Sequence, residues 1–105
     1  MVQNKLYKVK ISEEAQRGLG RIVSFIALNS IQAARLLKKD LVAEISSLKL
    51  LPERTPFLEG EFIPFNKYHK LVVGRSYLVI YQIKDDTVWV DYVIDCRQDY
   101  QWLIR

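Results

Sequence analysis

The chain has 105 residues, a length that fits one domain with a core of its own and no need of metal or disulfide staples. Half of it is hydrophobic and 27% is charged, and no apolar run approaches the roughly 20 residues of a membrane helix, which sets aside disorder and a membrane partner. The formal charge of +4 favours anionic partners, yet it is spread as +3 over residues 1–11, +2 over 12–54, −2 over 55–65 and +1 over 66–105. That distribution permits an RNA or ribosome partner without demanding one.

In "LYKVKIS" Leu6, Lys8 and Lys10 alternate with Tyr7, Val9 and Ile11, a period of two that predicts a strand near a sheet edge. Ser12 then offers an N-cap, with Glu13 and Glu14 in the first turn where the helix dipole favours them. Ala15, Leu19, Ile22 and Ile26 form the apolar stripe of an amphipathic helix, which Gly18 and Gly20 weaken by up to about 1 kcal/mol each. After the break at "LNS", where Asn29 or Ser30 can end one helix and cap the next, Ile31, Ala34, Leu37, Leu41, Ile45 and Leu48 continue at helical spacing. An antiparallel helical hairpin follows from so short a break. Pro52 and Pro56 end it, and the chain as far as about Phe65 reads as loop or irregular strand.

The C-terminal half changes period. "KYHKLVV", "SYLVIYQI" and "TVWVDYVI" are β-branched and aromatic runs joined by "GR" and "KDD", short connections that force an antiparallel meander. Tyr77, Val79, Tyr81 and Ile83 share one face of the middle run and Leu78 and Ile80 the other, so this strand is central. The prediction is a single α+β domain over residues 1–105. A strand and a two-helix antiparallel hairpin precede a meander of three or more strands and a short C-terminal tail. With the helices on one face of the sheet, the opposite face, or the groove where strand ends meet the tail, is left for function.

That order of elements resembles the RelE/ParE toxins of bacterial type II toxin–antitoxin systems, which serve plasmid stabilisation. The resemblance runs through "YKVKISEEAQRGLGRIVSFIA", "IQAARLLKKDLVAEISSL", "YHKLVVGRSYLVIYQI" and "VDYVIDCRQDY". It implies a cytoplasmic toxin, silenced by a cognate antitoxin, that either cleaves mRNA on the ribosome or inhibits DNA gyrase. A silent member that keeps only antitoxin binding is a third possibility. No cofactor and no metal are implied, and no spacing of His, Cys, Asp or Glu suggests a metal site. The lone Cys96 and the absence of a signal-peptide core in "MVQNKLYKVK" fit the same cytoplasmic address.

Metal-independent RNA cleavage needs a deprotonated 2′-hydroxyl, cations for the pentacovalent phosphate and a proton for the leaving oxygen. By resemblance, mRNA cleavage is the leading expectation, with Lys70, Arg75, Arg97, Asp99 and Tyr100 as the catalytic set. Lys70, Arg75 and Arg97 would stabilise phosphate charge, while Tyr100 orients the substrate or assists proton transfer. Asp99 would act as base or fix Arg97. Two departures favour the gyrase alternative: Leu78 stands where endonuclease members often carry arginine, and Asp99 where some carry histidine. With an ordinary pKa of about 3.9, aspartate is a poor acid at neutral pH. The structural readings run beside these: His69 as a hydrogen-bonder, Cys96 as filler, Trp89 and Trp102 as packing residues. Arg35, Lys38 and Lys39 read as a solvated helix face, and Asp85–Asp86 as turn chemistry.

Overall fold

A computed structural model describes residues 5–97. Asp99, Tyr100 and Trp102 therefore lie outside the described residues. The elements run β1 (Lys8–Ile11), α1 (Glu13–Ala27), α2 (Ile31–Ser47), a short 3-10 turn (Pro52–Arg54), β2 (His69–Val73), β3 (Tyr77–Lys84) and β4 (Thr87–Asp95). They form a four-stranded sheet in the order β1-β4-β3-β2, in which β1 runs parallel to β4 and the other pairs are antiparallel. β1 is thus an edge strand, as its lysines predict, and the α1–α2 hairpin is the crossover that makes its parallel pairing possible. Among the described residues no helix is long and apolar enough to cross a membrane.

Both helix starts follow the sequence closely. The Ser12 hydroxyl accepts from the Ala15 amide at 3.0 Å, and that of Ser30 from the Ala33 amide at 3.1 Å. Ser12 also donates to the Asp91 carbonyl at 2.9 Å, so the cap of α1 is tied to β4. At the far end of the hairpin Arg54 reaches back to the Leu50 carbonyl (2.7 Å) and the Ser47 hydroxyl (2.8 Å), closing the C-terminal end of α2.

The sheet is covered on both faces. On the helix side Ala15, Leu41, Ile45 and Leu48 pack against Val73, Val79, Tyr81, Val88, Val90 and Val93. Gly18 is buried there, and a Cβ at that position would overlap the Val93 carbonyl oxygen. The glycine that looks like a weak point in a helix is what lets α1 lie directly on β4. Gly20 has open space around it.

On the other side, loop residues Leu58, Ile63 and Tyr68 pack on Leu78, Ile80 and Ile94, with Cys96 and Tyr92 against them. Much of the sheet face expected to be open is therefore roofed by the segment between the 3-10 turn and β2. A buried polar clasp holds the roof down. The Tyr81 hydroxyl donates to the Pro52 carbonyl at 2.6 Å and shares a 2.5 Å hydrogen bond with the Thr55 hydroxyl. His69 bonds the Thr55 carbonyl through Nδ1 at 2.9 Å, with its ring stacked on Tyr81.

A β-bulge sets the register of β4. Ile80 pairs with Tyr92 and Tyr81 with Val90, which leaves Asp91 as the extra residue. Before the bulge Val88 and Val90 face the helices; after it the alternation is reset, so Val93 and Asp95 do so. Tyr92 and Ile94 turn to the loop side. The Asp91 carboxylate accepts from Gln82 at 2.6 Å, which stabilises the irregularity.

Candidate functional site

The bulge delivers Asp95 to the end of the sheet under α1, and this is where a groove opens. It encloses about 490 Å³ and is lined by Gly18, Arg21, Ile22, Phe25 and Ile26 of α1, by Tyr77, Val93, Ile94 and Asp95 of the strand ends, and by Arg97. That volume lies within the range of pockets that bury a compact ligand or several side chains. The floor is aliphatic and aromatic, and the cations sit at the rim. Arg97 is clasped by Asp95, with Nη2 to Oδ2 at 2.6 Å and Nε to Oδ1 at 2.9 Å. Its own amide adds a third bond to Oδ1 at 2.9 Å. These bonds hold the Asp95 carboxyl below its usual pKa and raise that of Arg97. Arg21 pairs with Glu14 at 2.9 Å.

Of the expected catalytic set, the described members Lys70, Arg75 and Arg97 stand on different elements. Lys70, paired with Ile80 in register, belongs to the loop-covered face together with Tyr92 and Leu78. Arg97 and Asp95 stand at the helix-face groove. Arg75 is exposed in the turn between β2 and β3. Asp99 and Tyr100 lie outside the described residues. His69 is buried and stacked between Phe57 and Tyr81, the structural role anticipated for it. Cys96 is half-buried against the loop-side core, and burial pushes its thiol pKa up, which disfavours a thiolate nucleophile. Trp89 departs from its expected packing role: it is 38% exposed, with the Lys10 ammonium 5.2 Å from its ring.

Sequence reasoning anticipated a groove at the strand ends but not its wall along α1. Ile22 and Ile26 are in the expected stripe, but they are only partly buried because the strand ends do not extend beneath them. Phe25, on the next position round, is 64% exposed, and Leu28 and Ile31 at the hairpin tip are also exposed. A small residue inside an apolar stripe, Gly18 between Ala15 and Ile22, was the available signal of close helix–strand approach.

Comparison with known proteins settles the family. The family described as the ParE toxin of the type II toxin–antitoxin system, parDE, matches residues 9–100. The chain belongs to the ParE toxin family. Membership implies an antitoxin partner. Among solved structures, the chromosomal ParDE toxin–antitoxin system from P. aeruginosa is similar in fold, with a TM-score of 0.71 and 14% identity over 87% of this chain and 97% of that one. A conserved hypothetical protein from Helicobacter pylori follows, with a TM-score of 0.56 and 16% identity over 89% of this chain and 98% of that one. No curated protein matches the sequence.

Proposed function

We propose that this ParE-family chain is a toxin that arrests growth by binding DNA gyrase, and that its cognate antitoxin silences it by docking in the groove under α1. The observation that carries the reading is the separation of Lys70 from Arg97. Lys70 lies on the loop-covered face, whereas Asp95 holds Arg97 on the helix face. Strand alternation sets Lys70 with Ile80 on one face, while Arg97 is held by Asp95 at the rim of the groove under α1. Charge stabilisation of a pentacovalent phosphorus needs preorganised donors on one site, so this arrangement supports binding over RNA cleavage. The family match is compatible with it, since gyrase inhibition is the ParE-like alternative among the activities that the resemblance implies.

The groove suits a segment of a particular kind. Its apolar floor of Ile22, Phe25, Ile26 and Val93 calls for an apolar stripe, and the ion pairs Arg21–Glu14 and Arg97–Asp95 at the rim call for polar flanks. A segment that folds as it docks would meet both demands. Purified chain is expected to inhibit gyrase-catalysed supercoiling, with inhibition relieved by the cognate antitoxin. Unaffected supercoiling at saturating, folded protein would eliminate the gyrase reading.

RNA cleavage is the second reading. It keeps Lys70, Arg75, Arg97, Asp99 and Tyr100 as the catalytic set and relies on Asp99 and Tyr100, outside the described residues, to complete a site around one of the separated cations. Site-specific cuts in mRNA on translating ribosomes would establish it, and would be abolished by Arg97→Glu with folding intact.

A further inference from the structure

The groove under α1 is an apolar surface whose charged lining residues are already paired. Ile22, Phe25 and Ile26 form its wall above Val93, and Phe25 is 64% exposed. The Arg97 guanidinium holds the Asp95 carboxylate at 2.6 Å, and Arg21 holds Glu14 at 2.9 Å. An occupant gains by burying apolar area, while a charge of either sign brought into the groove meets no free counter-ion. The segment that fits is apolar and uncharged.

The chain carries such a segment where the groove begins. Arg97 lines the groove, and both its amide and its guanidinium are bonded to Asp95, which fixes the point from which the chain continues. Residues 98–105 lie outside the described residues and read QDYQWLIR. Gln98 and Asp99 make a short polar joint. Residues 100–104 are an uncharged run in which Tyr100, Trp102, Leu103 and Ile104 surround a single glutamine. Tyr100 stands three residues beyond Arg97 and Ile104 seven, spans of at most about 11 Å and about 25 Å in an extended chain. The groove is therefore within reach of the whole run.

Tethering decides between this tail and the same tail of another copy. A short joint holds the chain's own tail at an effective concentration of about millimolar, whereas that of a second copy arrives at its bulk concentration. Among the residues of the run, Trp102 brings the largest apolar area.

We propose that residues 100–104 fold back into the groove under α1 of their own chain, with the Trp102 ring on Ile22, Phe25 and Ile26. The tail keeps this apolar wall out of water, and another segment with an apolar stripe enters only by competing with it. That competition rests on the antitoxin reading above. The occupancy itself rests on the groove and the tail sequence, and its test contains neither antitoxin nor gyrase.

NMR on the full wild-type chain reads the contact directly. Nuclear Overhauser effects are expected between the Trp102 ring and the methyl groups of Ile22 and Ile26. Fluorescence supplies a second readout, because Trp89→Phe leaves Trp102 as the sole tryptophan. Its emission should lie to the blue of that of the urea-unfolded chain, with acrylamide quenching reduced several-fold. Phe25→Glu, made at an exposed wall residue and checked for folding by circular dichroism, should move that emission to the red and restore most of the quenching. Signals that fade on dilution assign the tail to a second copy and overturn the proposal. So does a Trp102 as accessible in the folded chain as in the unfolded one, or a shielded Trp102 that makes no contact with α1 and ignores Phe25→Glu.

Discussion

The two faces of the sheet solve the same burial problem by different means. On the helix face the covering layer is regular: α1 and α2 bring Ala15, Leu41, Ile45 and Leu48 onto the valines of β3 and β4, with Gly18 setting the approach. On the opposite face an irregular loop does the covering. It uses Leu58, Ile63 and Tyr68 as apolar contacts and the Tyr81–Thr55–Pro52 hydrogen bonds as its fastening. The helix face is built from periodic sequence and ends in a groove where the strands stop. The loop face is built from a few anchors and ends in exposed rings. Each ending offers surface that the core does not consume.

This contrast can be broken first where it is strongest. Leu41 is fully buried on the helix side, and Leu41→Ala should cost about 2–5 kcal/mol in chemical denaturation. A loss well under 1 kcal/mol would mean that the helical layer is not the principal core. Next comes the paired glycine test. Gly18→Ala should destabilise by about 1–3 kcal/mol, because its methyl group meets the Val93 backbone. Gly20→Ala should stabilise by up to about 1 kcal/mol, since nothing opposes the helix preference there. Equal effects at the two sites would refute the close approach of α1 to β4.

Removing the fastening is a sharper probe of the loop face. Tyr81→Phe leaves the Thr55 hydroxyl and Pro52 carbonyl without that partner, at an expected cost of about 1–3 kcal/mol. The distinguishing readout is hydrogen exchange: the Leu58 amide should lose protection before amides of β3 and β4. Uniform loss would show one cooperative layer instead of two. The smallest effect concerns pH. The Arg97 hydrogen bonds depress the Asp95 pKa below its ordinary 3.8, so its contribution to stability is complete above that value and fades as pH falls through the lower, folded-state value. Asp95→Asn should flatten the acid limb of the stability profile slightly, because Arg97 is 64% exposed and solvent screens the pair. An unchanged acid limb would remove the clasp from the account.

What could be read in the sequence was whatever repeats. The alternation in "LYKVKIS" and "SYLVIYQI", the stripe from Ile31 to Leu48 and the caps Ser12 and Ser30 express local geometry, and each appears where its period puts it. The parallel β1–β4 pairing and the bulge at Asp91 are long-range choices that no period encodes, yet the bulge is what turns Asp95 toward α1. The covered loop face was not legible for the same reason: Leu58 and Ile63 sit in a segment with Pro, Gly and Glu, and only the sheet beneath them reveals them as anchors. Of the anticipated catalytic set, family resemblance could name residue types, but placing Lys70 and Arg97 on opposite faces required the strand register.

One experiment weighs the central proposal, that this ParE-family toxin arrests growth by binding gyrase and not by cutting mRNA. The chain is induced in cells lacking its antitoxin, and mRNA 5′ ends and the DNA-damage response are followed in the same culture. The account predicts a DNA-damage response with no new site-specific mRNA ends. New mRNA ends at defined sites without DNA damage would contradict it.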